Sequence, residues 1–368
     1  MLKLKQTNQT WLVLLAAFSL SVPPAKASTF VCGNVSGTWS LTGSPYIATC
    51  NLTVPSGQTL IIQPGVTIIM GQGLNMTVNG NIVADGTAAQ RITIRGALGS
   101  FYFDKIQINY TGGAQSRFVN CSISDAINAL SLDIPTDAIM APQIPSCIFS
   151  NCTDTCIVED AMANDWFHPI LNGSIQNCRF HSSSNAIQLT VGGYGHSCYG
   201  GYCTGQGAIS QVIANNLFQN LSGIAIAIKV NAEYEARPSN PKVVNNVFLQ
   251  CAVGMQKTGS APDFNEEITY NCFYNNQTNF VGYPAGVYGT ICCVNPNGTP
   301  CDLVNNIFEN PLFCETTNYT LSKPPARPSG RGAASTLSLM NCNTARVSSA
   351  FAVACFSAFT ARSRCNSI

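Results

Sequence analysis

One phrase of six residues returns along this chain at a nearly constant phase. It reads apolar–apolar–Asn–Asn–apolar–Phe. Its clearest copies span residues 213–218, 243–248 and 303–308, and looser copies span residues 118–123, 144–149, 175–180 and 268–273. Successive copies are separated by about 25 to 38 residues, a spacing typical of solenoid repeats. A unit this short buries its apolar side chains only by stacking on its neighbours, so the repeats constrain the fold strongly.

The paired asparagines interrupt short apolar strands, which indicates a tight bend at one place in every unit. Asn tolerates the left-handed backbone conformation and suits such a bend. Where bends stack at the strand spacing of about 4.8 Å, their Asn side chains lie within bonding distance. Cys121, Cys147 and Cys178 occupy the place of the second Asn in their units. We therefore predict a ladder of Asn side chains that continues as a ladder of inward thiols.

The stretch before these units consists of short β-branched strands separated by Pro-Gly, Asn-Gly and Asp-Gly turns. Its phrases VPSGQTLIIQPGVTIIM and LNMTVNGNIVADGTAAQRITIRG, with the repeated NNxF, resemble secreted proteins of the pectin-lyase-like superfamily. The resemblance covers residues 36–321. It implies an all-β chain, a single-stranded right-handed parallel β-helix (solenoid) with Asn/Cys ladders and disulfide-stabilised ends. An ordinary β-sandwich is the alternative, but sandwiches do not repeat one phrase at one phase.

Three segments of the chain differ in composition. Residues 1–27 combine a basic start, a short apolar core and a small-residue cleavage site, which is the pattern of a secretory signal peptide. A retained membrane anchor is the alternative. Residues 28–321 form the predicted β-helix domain, and residues 322–368 form a basic Ser/Ala/Arg-rich tail of low order. We expect a secreted or cell-surface monomer without a membrane span.

All 18 cysteines follow the predicted cleavage site, which indicates disulfides in an oxidising compartment. The candidate local pairs are Cys32 with Cys50, Cys198 with Cys203, and Cys292 or Cys293 with Cys301. Zinc is the alternative use of clustered cysteines, but the chain has no Cys-x-x-Cys pair and only three histidines. We therefore expect no metal site.

Charge is distributed unevenly along the chain. Residues 28–322 hold all 17 acidic residues against nine basic ones, a net charge of −8, whereas six basic residues and no acidic residue follow Glu315. The negative body argues against nucleic acid as a partner. It also disfavours capture of a polyuronate unless Ca²⁺ bridges the like charges. We therefore expect no cofactor, with Ca²⁺ as the alternative.

The longest insertions fall at one recurring place, between the second strand of a unit and the next Asn phrase. They span residues 161–172, 192–208 and 231–241. Insertions in stacked repeats map to one face, so we predict a loop wall on one side of the solenoid. Aromatic rings pack on sugars and carboxylates bind hydroxyls, so the wall is a candidate polysaccharide site, unless its aromatics only cover strand edges. The candidate substrate-binding residues are Trp166, His168, Tyr194, His196, Tyr202, Glu233, Tyr234, Glu235 and Arg237.

Catalytic signals are fewer. Hydrolysis of a glycosidic bond needs two carboxylates, and a lyase needs a base beside the uronate. Glu159, Asp160 and Lys229 are the candidate catalytic residues, and Lys229 is expected beside Glu159 of an earlier coil. No phosphate loop, catalytic-triad signature or dinucleotide fingerprint occurs.

The sequence thus predicts an extracellular β-helix that binds or processes polysaccharide through the loop wall. Two alternatives stay open, because the resemblance is specific for fold and not for function. One is a non-catalytic structural or adhesive rod at the cell surface. The other is a polysaccharide lyase or glycoside hydrolase.

Overall fold

The chain winds into a solenoid in which nearly every strand pairs in parallel with the equivalent strand of the next coil. The computed structural model describes residues 28–97, 101–109, 116–134, 139–163, 169–193, 198–199, 202–203, 207–232, 239–259, 264–295, 298–311 and 313. Within these ranges one short 3₁₀ helix, Leu41–Gly43, is the sole helical element. The predicted all-β fold, a single-stranded right-handed parallel β-helix, is confirmed.

Each complete coil contributes one strand to each of three stacks, named Sheet I, Sheet II and Sheet III in chain order. Sheet I consists of Gly37–Trp39, Thr59–Ile62, Asn81–Asp85, Arg117–Val119, Gln143–Pro145, Ser174–Gln176, Val212–Ala214, Lys242–Val244 and Glu267–Thr269. Sheet II consists of Thr67–Met70, Ile92–Gly96, Cys121–Ala126, Ile148–Cys152, Arg179–His181, Leu217–Gln219, Val247–Leu249 and Cys272–Tyr274. Sheet III consists of Asn75–Val78, Lys105–Asn109, Leu130–Asp133, Thr155–Ala163, Asn185–Gly193, Ile224–Ala232, Val253–Thr258 and Thr278–Val281.

The remaining strands lie at the ends and on the return path of the coils. Tyr46–Val54 spans the start of Sheets II and III, and Thr29–Asn34 covers it. A small parallel sheet contains Ile139–Met140, Ile170–Leu171 and Ala208–Ile209. Two antiparallel hairpins pair Cys198–Tyr199 with Tyr202–Cys203, and Cys293–Val294 with Pro300–Cys301.

The repeated phrase forms the bend between Sheet I and Sheet II. The residue before each inward polar side chain has a positive φ of 48° to 65°, in the left-handed region that Asn tolerates better than most residues. These bend residues are Asn120, Ser146, Asn177, Asn215, Asn245, Tyr270 and Asn305. One bend geometry therefore repeats in seven consecutive coils.

The predicted ladder of Cys and Asn side chains runs through these bends. In each rung the backbone N–H donates to the side chain of the next coil: Cys147 to Cys178 Sγ at 3.3 Å, Cys178 to Asn216 Oδ1 at 2.8 Å, and Asn216 to Asn246 Oδ1 at 2.9 Å. The Asn246 amide in turn donates to the carbonyl oxygen of Ile213 at 2.9 Å. Each rung thereby satisfies both a buried backbone donor and a buried backbone acceptor, which are costly to leave unpaired.

The ladder ends on a carboxylate. Asn246 donates to Asn271, and Asn271 donates to Asn306, both at 2.9 Å. The backbone N–H of Asn306 then donates to Asp302 Oδ1 at 2.8 Å, and its amide donates to Asp302 Oδ2 at 3.1 Å. An acceptor-only side chain is suited to this place, because the described residues contain no further coil that would supply an amide oxygen to Asn306.

Apolar side chains fill the interior in columns. Strands such as Ile92–Gly96 alternate buried and partly exposed residues, as the two-residue period of a strand requires. The closing Phe of the repeated phrase forms one column, with ring centroids 4.5 to 5.0 Å apart. Its members are Phe149, Phe180, Phe218, Phe248 and Phe273. Stacked aromatic rings add stabilisation beyond the burial of their area.

The two ends of the solenoid are closed differently. The predicted disulfide Cys32–Cys50 is present and joins the first strand to Tyr46–Val54. At the other end, the structure contains neither alternative of the predicted bond, Cys292 or Cys293 with Cys301. Ile307 instead pairs in parallel with Cys272 at the end of Sheet II, and Cys301 pairs with Ile307. Both belong to an apolar cluster with Leu217, Val247, Leu249 and Cys272.

Replacing Asn246 by Ala is expected to lower the free energy of unfolding by about 2–5 kcal/mol, because buried groups of Asn216 and Ile213 lose their partners. Asn246→Cys should cost less, because a thiol fills the same place in three earlier coils. Asn231→Ala, at an exposed position, is the matched control and should change stability by less than about 0.5 kcal/mol. Urea unfolding measures all three, and equal losses for Asn246→Ala and the control would contradict the role of the ladder.

Candidate functional site

Sheet III carries the three longest strands of the solenoid's stacked sheets, and the predicted loop wall begins at their ends. Thr155–Ala163, Asn185–Gly193 and Ile224–Ala232 pair over nearly their whole length. Ala163, Gly193 and Ala232 end them at one register. The loops that follow therefore leave the solenoid at one level.

These loops also return to the solenoid side by side. The small sheet pairs Ile170–Leu171 with Ala208–Ile209 on the return path. Just before it, Gly207 approaches Sheet III so closely that a Cβ there would lie 1.8 Å from the carbonyl oxygen of Ala161. Only glycine fits this approach. The described ends of the insertions thus lie on one side, as the repeat pattern predicts.

Most candidate binding residues of the loop wall lie outside the described residues. These are Trp166, His168, Tyr194, His196, Glu233, Tyr234, Glu235 and Arg237. Tyr202 is described through its backbone, which pairs with Tyr199. Cys198 lies opposite Cys203 in the same hairpin, a backbone pairing compatible with the predicted disulfide. The roles of these residues stay predictions.

The three candidate catalytic residues divide between the two faces of Sheet III. Glu159 points into the core and is fully buried, in register with Leu132 and Leu189. Lys229 is exposed and aligns with Thr190, which aligns with Asp160. The prediction that Lys229 lies beside Glu159 is therefore wrong. A shift of one residue along a strand moves a side chain to the opposite face.

The outward side chains of Sheet III are mostly polar, with Val158 and Ala227 among them, and this surface is here called the outer polar face. Two rows of it run along the solenoid axis at the spacing of the strands, about 4.8 Å. One row includes an amide–amide contact from Asn109 Nδ2 to Asn79 Oδ1 at 2.9 Å. The polar members of the face are Lys105, Gln107, Asn109, Ser131, Asp133, Asp160, Gln188, Thr190, Lys229, Gln256 and Thr258. Among these, Thr190 is buried.

Two carboxylates are neighbours at the centre of this face. Asp133 and Asp160 are in register on adjacent strands, which places their Cα atoms about 5 Å apart. Asp133 is exposed, whereas Asp160 is partly buried and its Oδ1 has no hydrogen-bond partner. Burial raises the pKa of Asp160, and the charge of Asp133 raises it further. A hydrogen bond from the backbone of Met162 lowers this pKa by a smaller amount. The pair thus combines an exposed carboxylate with one that holds its proton more tightly.

Asp133 was not among the residues selected from the sequence. The signal is present, because Leu130–Asp133 reads apolar–polar–apolar–acid, and residues 157–160 continue that column with Glu159 at the second apolar place. When the Sheet III strands are aligned by this alternation of apolar and polar residues, instead of by their distance from the Asn phrase, Asp133 lies beside Asp160. The spacing from the Asn phrase differs by one residue between these two coils, which hides the match.

Behind the outer polar face lies a buried polar bridge. Gln211 Nε2 donates to Glu159 Oε1 at 3.0 Å, and the backbone N–H of Gly173 donates to Gln211 Oε1 at 2.7 Å. Glu159 Oε2 has no hydrogen-bond partner. Burial raises the pKa of Glu159 to about 8, so the side chain is largely a neutral acid at pH 7.

The part of the chain described by the structure contains no group of three or more His, Cys, Asp or Glu side chains arranged to hold a metal ion. No helix among the described residues is long and apolar enough to cross a membrane. No protein-family model and no curated protein matches the sequence.

The pH dependence of stability tests the buried state of Glu159. Its folded pKa of about 8 exceeds its ordinary value of 4.5, so between these values the folded state binds more protons than the unfolded state. The free energy of unfolding should then fall by about 1.4 kcal/mol per pH unit as pH rises through this window. Glu159→Gln should remove this slope, whereas the exposed Glu267→Gln should leave it unchanged. Urea unfolding at pH 5, 6.5 and 8 measures it, and equal slopes in wild type and Glu159→Gln would contradict the assignment.

Proposed function

We propose that this protein is an extracellular β-helix that binds polysaccharide on the outer polar face of Sheet III and the adjoining loop wall. The observation that carries the proposal is the row of amide, hydroxyl and carboxyl groups repeated at one strand spacing along the axis. A sugar polymer presents hydroxyl groups at regular intervals along one direction. A regular row of donors and acceptors on a rigid scaffold complements such a ligand.

Charge favours a neutral polysaccharide over a polyuronate. Asp133 and Asp160 occupy the centre of the face, and the two lysines of the face, Lys105 and Lys229, lie on strands on either side of this pair. A carboxylated sugar at the centre would meet two like charges and no adjacent cation. In the neighbouring row, Gln107 and Ser131 on one side of Val158 and Gln188 on the other offer uncharged partners for sugar hydroxyl groups.

Several observations support an extracellular location. The Cys32–Cys50 bond is of a kind that persists in oxidising compartments. Residues 1–27 have the pattern of a signal peptide. The β-helix fold also agrees with the resemblance to secreted pectin-lyase-like proteins, although a fold alone does not assign an activity.

A second candidate is glycoside hydrolysis, which the Asp133–Asp160 pair favours. Retaining glycosidases use two carboxyl groups about 5–5.5 Å apart, a separation that neighbouring strands provide. In this reading Asp160, with its raised pKa, donates the proton to the leaving oxygen. The exposed carboxylate of Asp133 attacks the anomeric carbon as the glycosidic C–O bond breaks, and water then hydrolyses the resulting glycosyl–Asp133 bond. If neither binding nor turnover is found, the protein is better explained as a structural or adhesive rod that binds no polysaccharide.

Binding is tested on full-length mature protein with an array of neutral and acidic glycans, with and without Ca²⁺. We expect neutral glycans to bind, and Gln188→Ala to weaken the binding by about tenfold through the loss of one buried hydrogen bond. Trp166→Ala should weaken it as well if the loop wall takes part. Gln143→Ala, an exposed change on Sheet I, is the matched control and should leave the affinity unchanged. Absence of binding to every glycan would reject the proposal in favour of a structural rod.

Hydrolysis is tested on whichever glycan binds. Asp160→Asn and Asp133→Asn should each lower kcat by about 100-fold or more, while the dissociation constant of the glycan changes little. Asp85→Asn, at an exposed position on Sheet I, serves as the control. Turnover that survives both substitutions, or no turnover in the wild type, would reject the hydrolase candidate and leave binding intact.

A further inference from the structure

The hairpin at the C-terminal cap contains three cysteines that the proposed function does not use. Cys293 lies directly opposite Cys301 in the antiparallel register. Directly opposed residues in such a pair have Cα atoms about 4.5–5.5 Å apart, within the disulfide range of about 4.4–6.8 Å. Cys293 Sγ lies 2.9 Å from the carbonyl oxygen of Asp302 and 3.6 Å from that of Cys301, so the sulfur points towards the backbone of the opposite strand and the residue after it.

Cys292 stands in a different position. Its thiol is exposed, whereas Cys301 is buried and Cys293 is partly buried. Its Sγ lies 3.5 Å from Cys293 Sγ. A bond between these neighbours is disfavoured, because adjacent Cα atoms are only about 3.8 Å apart, below the range of ordinary disulfides. Cys292 is therefore placed to react with a disulfide reagent from solvent. The small thiol that it takes up can then be transferred to Cys293.

We propose that Cys293 and Cys301 form a disulfide under oxidising conditions and that Cys292 starts the reaction. The oxidant is a small-molecule disulfide such as oxidised glutathione. The Cys292 thiolate attacks one of its sulfurs, the S–S bond breaks, and one small thiol leaves. The Cys293 thiolate then takes the remaining small thiol from Cys292, whose own thiol is restored. Attack by the Cys301 thiolate on Cys293 Sγ releases the second small thiol.

The net reaction oxidises two protein thiols to one disulfide and reduces the small disulfide to two thiols, so two electrons and two protons are transferred. The product locks the cap, because Cys301 and Cys293 both belong to the apolar cluster at the end of Sheet II. The cross-link would hold the hairpin against Leu249 and Cys272. This inference is independent of the glycan proposal.

The bond is tested in the full chain by chemical cleavage between its two halves. Hydroxylamine cleaves Asn–Gly bonds, and Asn297–Gly298 lies between Cys293 and Cys301. Protein treated with oxidised glutathione is alkylated, cleaved and run with and without reductant. We expect fragments 173–297 and 298–368 to remain joined without reductant and to separate with it. The midpoint of thermal unfolding should rise by about 5 °C on oxidation.

Three variants assign the bond. Cys293→Ser and Cys301→Ser should each abolish the joined product, whereas Cys292→Ser should form it about tenfold more slowly. Mass spectrometry of the wild-type linked peptides identifies the bonded sulfurs even if a variant fails to fold. A joined product in Cys293→Ser or Cys301→Ser, or none in the wild type, would overturn the proposed bond. An unchanged rate in Cys292→Ser would overturn the role of Cys292.

Discussion

A parallel β-helix has to bend its chain several times in every coil, and each bend takes backbone groups out of sheet hydrogen bonding while they remain buried. In this protein the inward side chain at the bend between Sheets I and II replaces those lost partners. Amides at Asn216, Asn246 and Asn271 do so in later coils, and thiols do so at Cys147 and Cys178. The thiol and the amide are interchangeable here because both donate and accept.

The outer polar face depends on a second constraint, the parallel pairing that sets the register of the Sheet III strands from coil to coil. Strand residues alternate between core and solvent, so a fixed register decides which polar groups reach the outer polar face. Asp160 is placed outside beside Asp133, and its neighbour Glu159 is placed inside. The pairing of the Sheet III strands therefore arranges the candidate site, and it leaves one carboxyl group buried as a neutral acid.

Much of the fold follows from the sequence because one short phrase carries it. The repeated Asn pair predicts the bend, and the equivalence of Cys121, Cys147 and Cys178 with Asn predicts the mixed ladder. The site is less accessible to such reasoning. The distance from the bend to the second strand varies by one residue between coils, which hid Asp133 and misplaced Lys229 relative to Glu159. Spacing along the chain also did not show whether Cys292 or Cys293 lies opposite Cys301, because that depends on the register of the hairpin.

Native-state hydrogen exchange of the bend amides tests the central claim most directly, because each rung predicts a specific protected N–H group. The N–H groups of Cys178, Asn216, Asn246 and Asn271 should be among the slowest to exchange, with protection close to that of global unfolding. Asp302→Ala should lower the protection factor most at the N–H group of Asn306 and next at that of Asn271. Exchange of these four groups as fast as that of the exposed amide of Ile291 would contradict a ladder that holds the coils together.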